Sequence, residues 1–181
     1  DEYQDLTRFI DVVAASGCET FIVHARKAWL KGLSPKQNRE IPELDYGRVY
    51  QLKQDFPDLE IIINGGITDL EQSKQHLTQI DGVMIGREAY TNPYLLAEVD
   101  QQIYGSENSM QSRKKVAEEF IQYVDNELSQ NIKLQSMTRH ILGLFHGMPG
   151  ARQFRRHISE NAHQPNATID VLIEALAKTT G

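Results

Sequence analysis

Cysteine is scarce in this sequence, whose 181 residues contain only one, Cys18. A single cysteine excludes an internal disulfide and any zinc site built mainly from cysteine ligands, so no metal site is predicted and a reducing cytoplasm is the expected setting. No apolar run approaches the roughly 20 residues that a transmembrane helix needs. The N-terminus also lacks the basic-then-apolar order of a signal peptide, so we expect a soluble chain.

An excess of basic residues is also missing, since 25 Asp and Glu outnumber 19 Lys and Arg and the formal net charge is -6. This balance argues against a uniformly basic nucleic-acid-binding protein, although the local distribution of charge decides what a surface attracts. The 40% of hydrophobic residues is ordinary for a globular protein with a good core. The chain begins with Asp1 rather than Met, which leads us to expect a natural protein that extends further upstream.

Short β-branched runs alternate with helical patterns in the first part of the chain. Strands are predicted at 20–25 (TFIVHA), 60–64 (EIIIN) and 82–86 (GVMIG). Such runs between turn signals are typical of strands buried on both faces of a parallel sheet. Helices are predicted before and between them from apolar residues spaced three and four apart, and Thr68 with Glu71 predicts a capping box at one helix start.

This alternation predicts right-handed crossovers and a parallel α/β sheet. Three strands make a poor sheet by themselves, so the pattern indicates part of a larger doubly wound sheet or of an eight-stranded barrel. A polar linker at 104–112 follows, and the remaining residues show only helical spacing, with a tight break at HGMPG, 146–150. We therefore predict an α/β domain over 1–104 and a helical domain over 105–181.

Glycines and polar residues follow the predicted strands at their carboxyl ends. Asn64, Gly65 and Gly66 come directly after the second strand, and Gly86 and Arg87 end the third. Glycine lets a backbone approach a ligand closely, amides at a helix start attract anions, and a guanidinium pairs with phosphate. A single Gly-Gly serves equally well to ease a turn, but two such turns in succession favour a phosphate site, as after the last two strands of a barrel.

His24 occupies the equivalent position at the end of the first predicted strand. Histidine at a strand end is often a core residue with satisfied hydrogen bonds. Its alignment with the two glycine turns favours a place at the ligand-binding face, where barrels gather their active-site groups. Cys18 lies at the opposite end of that strand, and we interpret it as structural.

Basic residues are concentrated in two segments. The loop 25–44 carries five of them, among them Lys36 and Arg39, and its length without predicted regular structure is typical of functional loops. A late helix carries Arg152, Arg155 and Arg156 on one broad side. Either cluster alone is expected to be a solvated face, but two of them on an acidic chain indicate a polyanionic partner, most simply a nucleic acid.

Four separated segments occur in a specific order: FIVHARKAWLKGLSPKQNREIPELDY, IIINGGI, DGVMIGREAYTNPYL and HGMPGARQFRRHISEN. Together they resemble the tRNA-dihydrouridine synthases, and are most similar to the A subfamily, over essentially the whole chain. The resemblance implies the last three strands of a flavin-binding (β/α)8 TIM barrel, followed by an all-α tRNA-binding domain. It also implies FMN-dependent reduction of uridine to dihydrouridine in the tRNA D-loop, with NADPH as the reductant.

The resemblance assigns roles to individual positions. His24 is expected to contact the flavin. The turns expected to hold its phosphate comprise Asn64, Gly65, Gly66, Gly86 and Arg87. The positions expected to contact tRNA are Lys36, Arg39, Arg152 and Arg155. The implied mechanism transfers a hydride from reduced flavin to an unstacked uracil, with a cysteine as the general acid.

That cysteine, a flavin-contacting lysine and five strands are expected upstream, so we expect no catalytic residue among these 181 residues, and Cys18 is no substitute. We further expect weak or absent flavin binding, no uridine reduction by the chain alone, and self-association through exposed strand edges. Two alternatives stay open. A different phosphate-binding barrel flavoprotein acting on a small molecule has no use for the basic clusters, whereas an RNA-binding module places most of the affinity in 107–181.

Overall fold

The predicted change from an α/β pattern to a helical one is present in the fold. The structure, a computed structural model, describes residues 2–27, 29 and 31–179. The chain divides into two compact units, Asp1–Gly86 and Arg87–Gly181, each with its own hydrophobic core. The boundary between the units, after residue 86, lies earlier in the chain than the predicted domain boundary at 104. The segment 87–104 therefore belongs to the helical unit. As functional domains, 1–104 and 105–181 stay predictions.

The first unit alternates helices and strands. Its elements are α1 (Glu2–Ala14), β1 (Thr20–His24), α2 (Pro35–Asn38), α3 (Tyr46–Asp55), β2 (Glu60–Asn64), α4 (Leu70–Leu77) and β3 (Gly82–Met84). The strands form one parallel sheet in the order β1-β2-β3. The mixed α/β class, the three strands and their parallel arrangement are confirmed, except that the first strand ends at His24 instead of Ala25 and the third at Met84 instead of Gly86.

The core of the first unit lies around the central strand, β2. Ile61 and Ile63 are fully buried there, and α3 packs Val49 and Leu52 into the same cluster. Burial of each such side chain stabilises the fold by about 1.5–3 kcal/mol. β1 is an edge strand whose side chains alternate between buried and exposed, with Ile22 57% exposed. The described residues cover only one face of this strand, so its burial on both faces stays a prediction for the larger sheet.

The start of α4 differs from the predicted capping box. Asp69 is the N-cap, and its carboxylate accepts a hydrogen bond from the amide of Gln72 at 2.7 Å. The side-chain oxygen of Gln72 in turn accepts from the amide of Thr68 at 3.1 Å. The predicted pairing of Thr68 with Glu71 is wrong, because the carboxylate of Asp69 reaches the third helical amide and supplies the acceptor one residue later.

Asp81 and Lys53 form an ion pair at the amino-terminal end of the sheet, opposite the carboxyl ends of the strands. Asp81 accepts a hydrogen bond from the amide of Ile61 at 2.8 Å and lies 2.8 Å from the ammonium of Lys53. Burial alone would raise the pKa of Asp81, but the Ile61 amide and the Lys53 ammonium together lower it below the usual aspartate value. The carboxylate is therefore ionised at neutral pH and connects α3 to β2.

The second unit is helical. Its elements are α5 (Arg87–Thr91), a 3-10 helix (Pro93–Glu98), α6 (Val99–Gln102), α7 (Arg113–Leu128), α8 (Leu134–Thr138), α9 (Ala151–Asn161) and α10 (Asp170–Leu176). Helical spacing correctly predicts α7, α9 and α10, whereas Ile141, Leu142 and Phe145, whose spacing also predicts a helix, lie in a series of turns. None of the helices in the described part of the chain combines the length and apolarity that crossing a bilayer requires.

Arg113 connects three segments of this unit, which explains why 87–104 belongs to it. The guanidinium carbon lies 4.0 Å from the ring centroid of Tyr94 in the 3-10 helix, and the guanidinium donates a hydrogen bond to the carbonyl of Leu144. The Tyr94 hydroxyl donates to the carbonyl of Gln111 at 2.7 Å. Burial lowers the pKa of Arg113, but a guanidinium remains charged at neutral pH and retains its cation–π contact.

The predicted break at HGMPG is confirmed and contains two left-handed glycines. Gly147 has a φ of 76°, and Gly150, which caps the start of α9, has a φ of 83°. A Cβ at Gly150 would lie 2.3 Å from the carbonyl oxygen of Lys178, whereas one at Gly147 would meet no described atom within 4 Å. Gly150 thus permits both the turn before α9 and the close approach of the main chain at Lys178 and Thr179, just after α10.

Candidate functional site

The carboxyl ends of the three strands lie side by side. In the sheet register His24 is paired with Asn64, and Asn64 with Met84. The amide of Ala25 donates to the carbonyl of Asn64 at 2.7 Å, which extends the pairing one residue past β1. The structure therefore brings His24 and Asn64, both predicted ligand-binding residues, together at one edge of the sheet.

Gly65 and Gly66 turn the chain away from β2 in backbone conformations that L side chains rarely adopt, with φ of 124° and 70°. A Cβ at Gly65 would lie 3.2 Å from Cε1 of His24, and one at Gly66 would lie 2.6 Å from Cδ1 of Leu44. Glycine satisfies both the conformation and the space. Gly65 is buried and Gly66 is exposed, so this turn presents bare backbone at its outer side.

Gly86 follows β3 by two residues, as Gly66 follows β2. It is exposed, and a Cβ there would meet no described atom within 4 Å. Contacts among the described residues therefore do not require glycine at this position, whereas the close approach of a ligand would. Arg87 is exposed and begins α5 in the other unit, and its predicted place beside the glycine turn stays a prediction.

Tyr46 contacts the glycine turn, which the apolar spacing of α3 does not reveal. Its hydroxyl donates a hydrogen bond to the carbonyl of Gly65 at 2.8 Å. Its ring packs edge-on against the buried ring of His76, with the centroids 4.5 Å apart, and Nδ1 of His76 lies 2.6 Å from the Tyr50 hydroxyl. The signal in the sequence was slight, an aromatic residue in the first turn of a helix that follows a long loop.

A cleft of ≈ 880 Å³ opens beside β1. Its lining includes His24, Arg26, Trp29 and Leu44, with Asp5 and Leu6 from α1. The glycines at 65, 66 and 86 are not among the described residues that line it. His24 borders both this cleft and the glycine turn, so it joins the two parts of the candidate site.

The loop between β1 and α3 is fastened at its base. Arg26 and Leu44 form an antiparallel bridge, and the Arg26 guanidinium donates to the carbonyl of Pro42. The amide of Asp45 donates to the carbonyl of Ala25 at 2.7 Å. These bonds hold the two ends of the loop together next to the carboxyl end of β1.

The middle of this loop contains α2, so the prediction of no regular structure is wrong. Ser34 and Gln37 form a reciprocal capping box, and Pro35 occupies the first helical turn. The local signal for this helix start is the sequence Ser-Pro-Lys-Gln, which carries the hydroxyl and the amide of the capping box. Lys36 and Arg39, three residues apart at the end of α2, are both exposed. The described part of the predicted basic loop thus contains a short helix with two exposed cations, Lys36 within it and Arg39 directly after it.

The arginines of α9 lie opposite its buried apolar side. Arg152, Arg155 and Arg156 are all exposed, as the three and four spacing predicts. Arg156 pairs with Glu160 at 2.7 Å. Within the part of the chain that the structure describes, Arg152 and Arg155 lie within salt-bridge distance of no carboxylate, so these two remain available to an anionic partner.

Cys18 lies between the end of α1 and the start of β1, at the sheet edge opposite His24. The thiol is half-buried and donates to the carbonyl of Thr20 at 3.4 Å. The predicted position of this residue is confirmed.

A parallel sheet with glycine turns and polar side chains at the carboxyl ends of its strands is typical of α/β proteins that bind phosphate-bearing cofactors. Comparison with known families makes the assignment specific. The description "Dihydrouridine synthase (Dus)" belongs to the family model that matches residues 1–180, and the chain belongs to that family. The resemblance carried by the four segments is confirmed, and the family is one of oxidoreductases.

Several relatives bear the name tRNA-dihydrouridine(20/20a) synthase. One from Vibrio cholerae serotype O1 is 63% identical over 179 residues, which are 98% of this chain and 55% of that protein. One from Shewanella oneidensis is 59% identical over 172 residues, 95% of this chain and 51% of that protein. One from Escherichia coli strain K12 is 58% identical over 177 residues, 97% of this chain and 51% of that protein. The chain thus spans about half the length of these relatives.

Proposed function

We propose that this chain is the C-terminal part of a tRNA-dihydrouridine(20/20a) synthase that binds FMN and reduces uridine in the tRNA D-loop with NADPH. The family match and the names of the relatives support the class of reaction. The complete fold that we propose is a (β/α)8 barrel, whose last three strands are β1, β2 and β3, followed by a helical tRNA-binding domain over 105–181. The proposed setting is the cytoplasm, as the single cysteine suggests.

One observation carries the cofactor assignment, namely the alignment of the strand ends with the glycines that follow them. His24 and Asn64 are partners in the sheet register, and Gly66 and Gly86 come two residues after the paired ends of β2 and β3. Bare backbone at consecutive strand ends fits a terminal phosphate, and the next residue, Arg87, offers the opposite charge. In this proposal Asn64, Gly65, Gly66, Gly86 and Arg87 hold the phosphate of FMN, and His24 contacts the flavin ring.

When bound, the reduced flavin supplies the hydride that saturates the uracil ring. The residues of this chain bind and orient. The tRNA phosphates are held, in this proposal, by Lys36, Arg39, Arg152 and Arg155. The target base leaves its stack to reach the flavin, and the proton comes from a cysteine outside these 181 residues. Cys18 is unsuited to that role because it lies at the opposite edge of the sheet from His24.

The proposed function predicts that the full-length protein binds FMN and forms dihydrouridine from unmodified tRNA and NADPH, whereas the 181-residue chain forms none. Three strands leave most of a flavin ring without walls, so the chain alone should also bind FMN weakly. Mass spectrometry of digested tRNA measures dihydrouridine, and the fluorescence of bound flavin measures cofactor affinity.

Gly86→Leu in the full-length protein is the matched test of the cofactor site. A Cβ at this position meets no described atom within 4 Å, so we expect little change in the midpoint of thermal unfolding without flavin. FMN affinity should fall at least about tenfold because the side chain fills the space that the phosphate needs.

Dihydrouridine formed by the 181-residue chain, or a full-length protein that binds no FMN, would contradict the proposed function.

The isolated chain should also self-associate through its sheet. β1 and β3 are the edges of the described sheet, and Ile22 on β1 is largely exposed. Unpaired strand edges offer backbone groups to a second copy. Light scattering should give an average mass that rises with the concentration of the chain but stays constant for the full-length protein. A monomer across the whole concentration range would disprove this.

A further inference from the structure

The peptide unit between Gly65 and Gly66 is the part of the candidate site with the greatest freedom to rotate. Glycine populates positive and negative φ about equally, so two adjacent glycines allow their shared peptide to flip without a side-chain clash. A flip would reverse the direction of the Gly66 amide. A phosphate site built on that amide therefore needs something that fixes its direction.

The Tyr46 hydroxyl contacts this peptide directly. It donates to the carbonyl oxygen of Gly65 at 2.8 Å. The C=O of Gly65 and the N–H of Gly66 belong to one planar trans peptide, so they point in opposite directions. A carbonyl held toward Tyr46 thus directs the Gly66 amide away from Tyr46, on a residue that is exposed at the carboxyl end of β2.

The position of the Tyr46 ring is itself restricted. The buried His76 ring packs against it edge-on at 4.5 Å between centroids. Leu44 packs against the turn itself, since its Cδ1 atom would lie 2.6 Å from a Cβ at Gly66. Burial raises the pKa of Tyr46, so its hydroxyl keeps the proton that it donates. The contact with His76 thus limits the positions that the Tyr46 hydroxyl can take and favours its hydrogen bond to Gly65.

We propose that Tyr46 is a positioning residue for the cofactor phosphate, because its hydroxyl fixes the Gly65–Gly66 peptide in the orientation that directs the Gly66 amide toward the phosphate. The inference rests on the proposed function, since it concerns how the same site recognises the terminal phosphate of FMN. It adds a residue outside the strand-end motifs. It also separates phosphate recognition from recognition of the flavin ring.

Tyr46→Phe in the full-length protein tests this, with FMN and riboflavin as the probes, since riboflavin lacks the phosphate. FMN affinity should fall about five- to tenfold, the effect of one neutral hydrogen bond, while riboflavin affinity stays within about twofold. Flavin fluorescence measures both. Equal losses for the two flavins, or no loss for either, would overturn the inference while the proposed function stands.

Tyr50→Phe is the matched control. It removes a hydroxyl from the same helix and the same aromatic cluster, but that hydroxyl contacts His76 and not the glycine turn. The FMN-to-riboflavin preference should therefore remain, and a loss equal to that of Tyr46→Phe would overturn the inference. An unsubstituted protein that binds FMN no better than riboflavin would reject the proposed phosphate site as well.

The effect of the Tyr46 hydroxyl on the glycine turn can also be measured without flavin. In the 15N-labelled full-length protein without flavin, relaxation dispersion should show microsecond-to-millisecond exchange at the Gly66 amide of Tyr46→Phe, and no such exchange in the unsubstituted protein or in Tyr50→Phe. An unchanged Gly66 amide in Tyr46→Phe would show that the peptide is fixed by other contacts, and would overturn the inference whatever the flavin titrations give.

Discussion

Alanine in place of Gly150 should lower the free energy of unfolding of the helical unit by about 2–5 kcal/mol. The left-handed φ of 83° costs an L-residue about 1–2 kcal/mol. The new Cβ would also lie 2.3 Å from the carbonyl oxygen of Lys178 and 2.8 Å from the Cα of Thr179. Both are main-chain atoms that cannot swing aside, so the helix ends must shift, at the roughly 1–3 kcal/mol typical of overpacking.

Gly147→Ala separates these two contributions. Its φ of 76° is nearly the same, but a Cβ there meets nothing within 4 Å of the described atoms. We expect a loss of only about 1–2 kcal/mol, from the backbone conformation alone. Urea unfolding followed by circular dichroism at 222 nm gives both values. Equal losses for the two variants would show that the contact with Lys178 and Thr179 is relieved at little cost.

Reversing four charges should reduce the affinity of the full-length protein for tRNA by about 100-fold or more at low salt. The substitutions are Lys36→Glu, Arg39→Glu, Arg152→Glu and Arg155→Glu. All four side chains are exposed, and the described residues offer Arg152 and Arg155 no ion pair. Each lost phosphate contact should also reduce the slope of log affinity against log salt by about 0.7–0.9, so the slope should fall by roughly 3 in total.

The matched control reverses four other exposed cations and so changes the net charge equally. These are Arg8, Lys114, Lys133 and Lys178, which lie outside the two basic clusters. Binding isotherms at several salt concentrations should show a small loss of affinity and little change in slope for the control. A control as weak as the cluster variant would mean that net charge, and not the two clusters, determines tRNA binding.

The two halves of the cluster variant distinguish the remaining alternatives. The loop pair, Lys36 and Arg39, and the helix pair, Arg152 and Arg155, should each cause a substantial part of the loss if both segments contact tRNA. A loss confined to the helix pair would favour an RNA-binding module in which only the helical domain matters. An affinity unaffected by either pair would favour a flavoprotein that acts on a small molecule.

The strands, the glycine turns and the arginine side of α9 were predictable because their signals are local. A β-branched run followed by Asn-Gly-Gly fixes a strand end within a few residues, and the three and four spacing of arginines fixes a helix side. The capping of α4 was local as well, but two adjacent residues offered an N-cap and the choice of Thr68 was wrong. Asp69 is the acceptor, since its short carboxylate reaches the amide of Gln72.

The features that could not be predicted from the sequence depend on contacts between elements that are distant in the chain. Tyr46 has the same spacing as its core neighbours in α3, and only the packing of α3 beside β2 brings its hydroxyl to Gly65. The exposed face of β1 likewise depends on its place at the edge of the sheet, which hydropathy cannot encode. In the sequence, Arg113 is an ordinary cation at a helix start. Only its contact with the Tyr94 ring shows that the segment 87–104 belongs to the helical unit.

The lone thiol offers a practical route to observing ligand binding. Cys18 precedes β1 while His24 ends it, so six residues of extended chain, about 20 Å, separate the two. Within the 181-residue chain no other cysteine competes for maleimide chemistry, so a fluorescent dye attached there would report on tRNA docking to this chain by anisotropy. The label would lie at the amino-terminal end of the sheet, away from the carboxyl ends of the strands, and so would not block the proposed cofactor site.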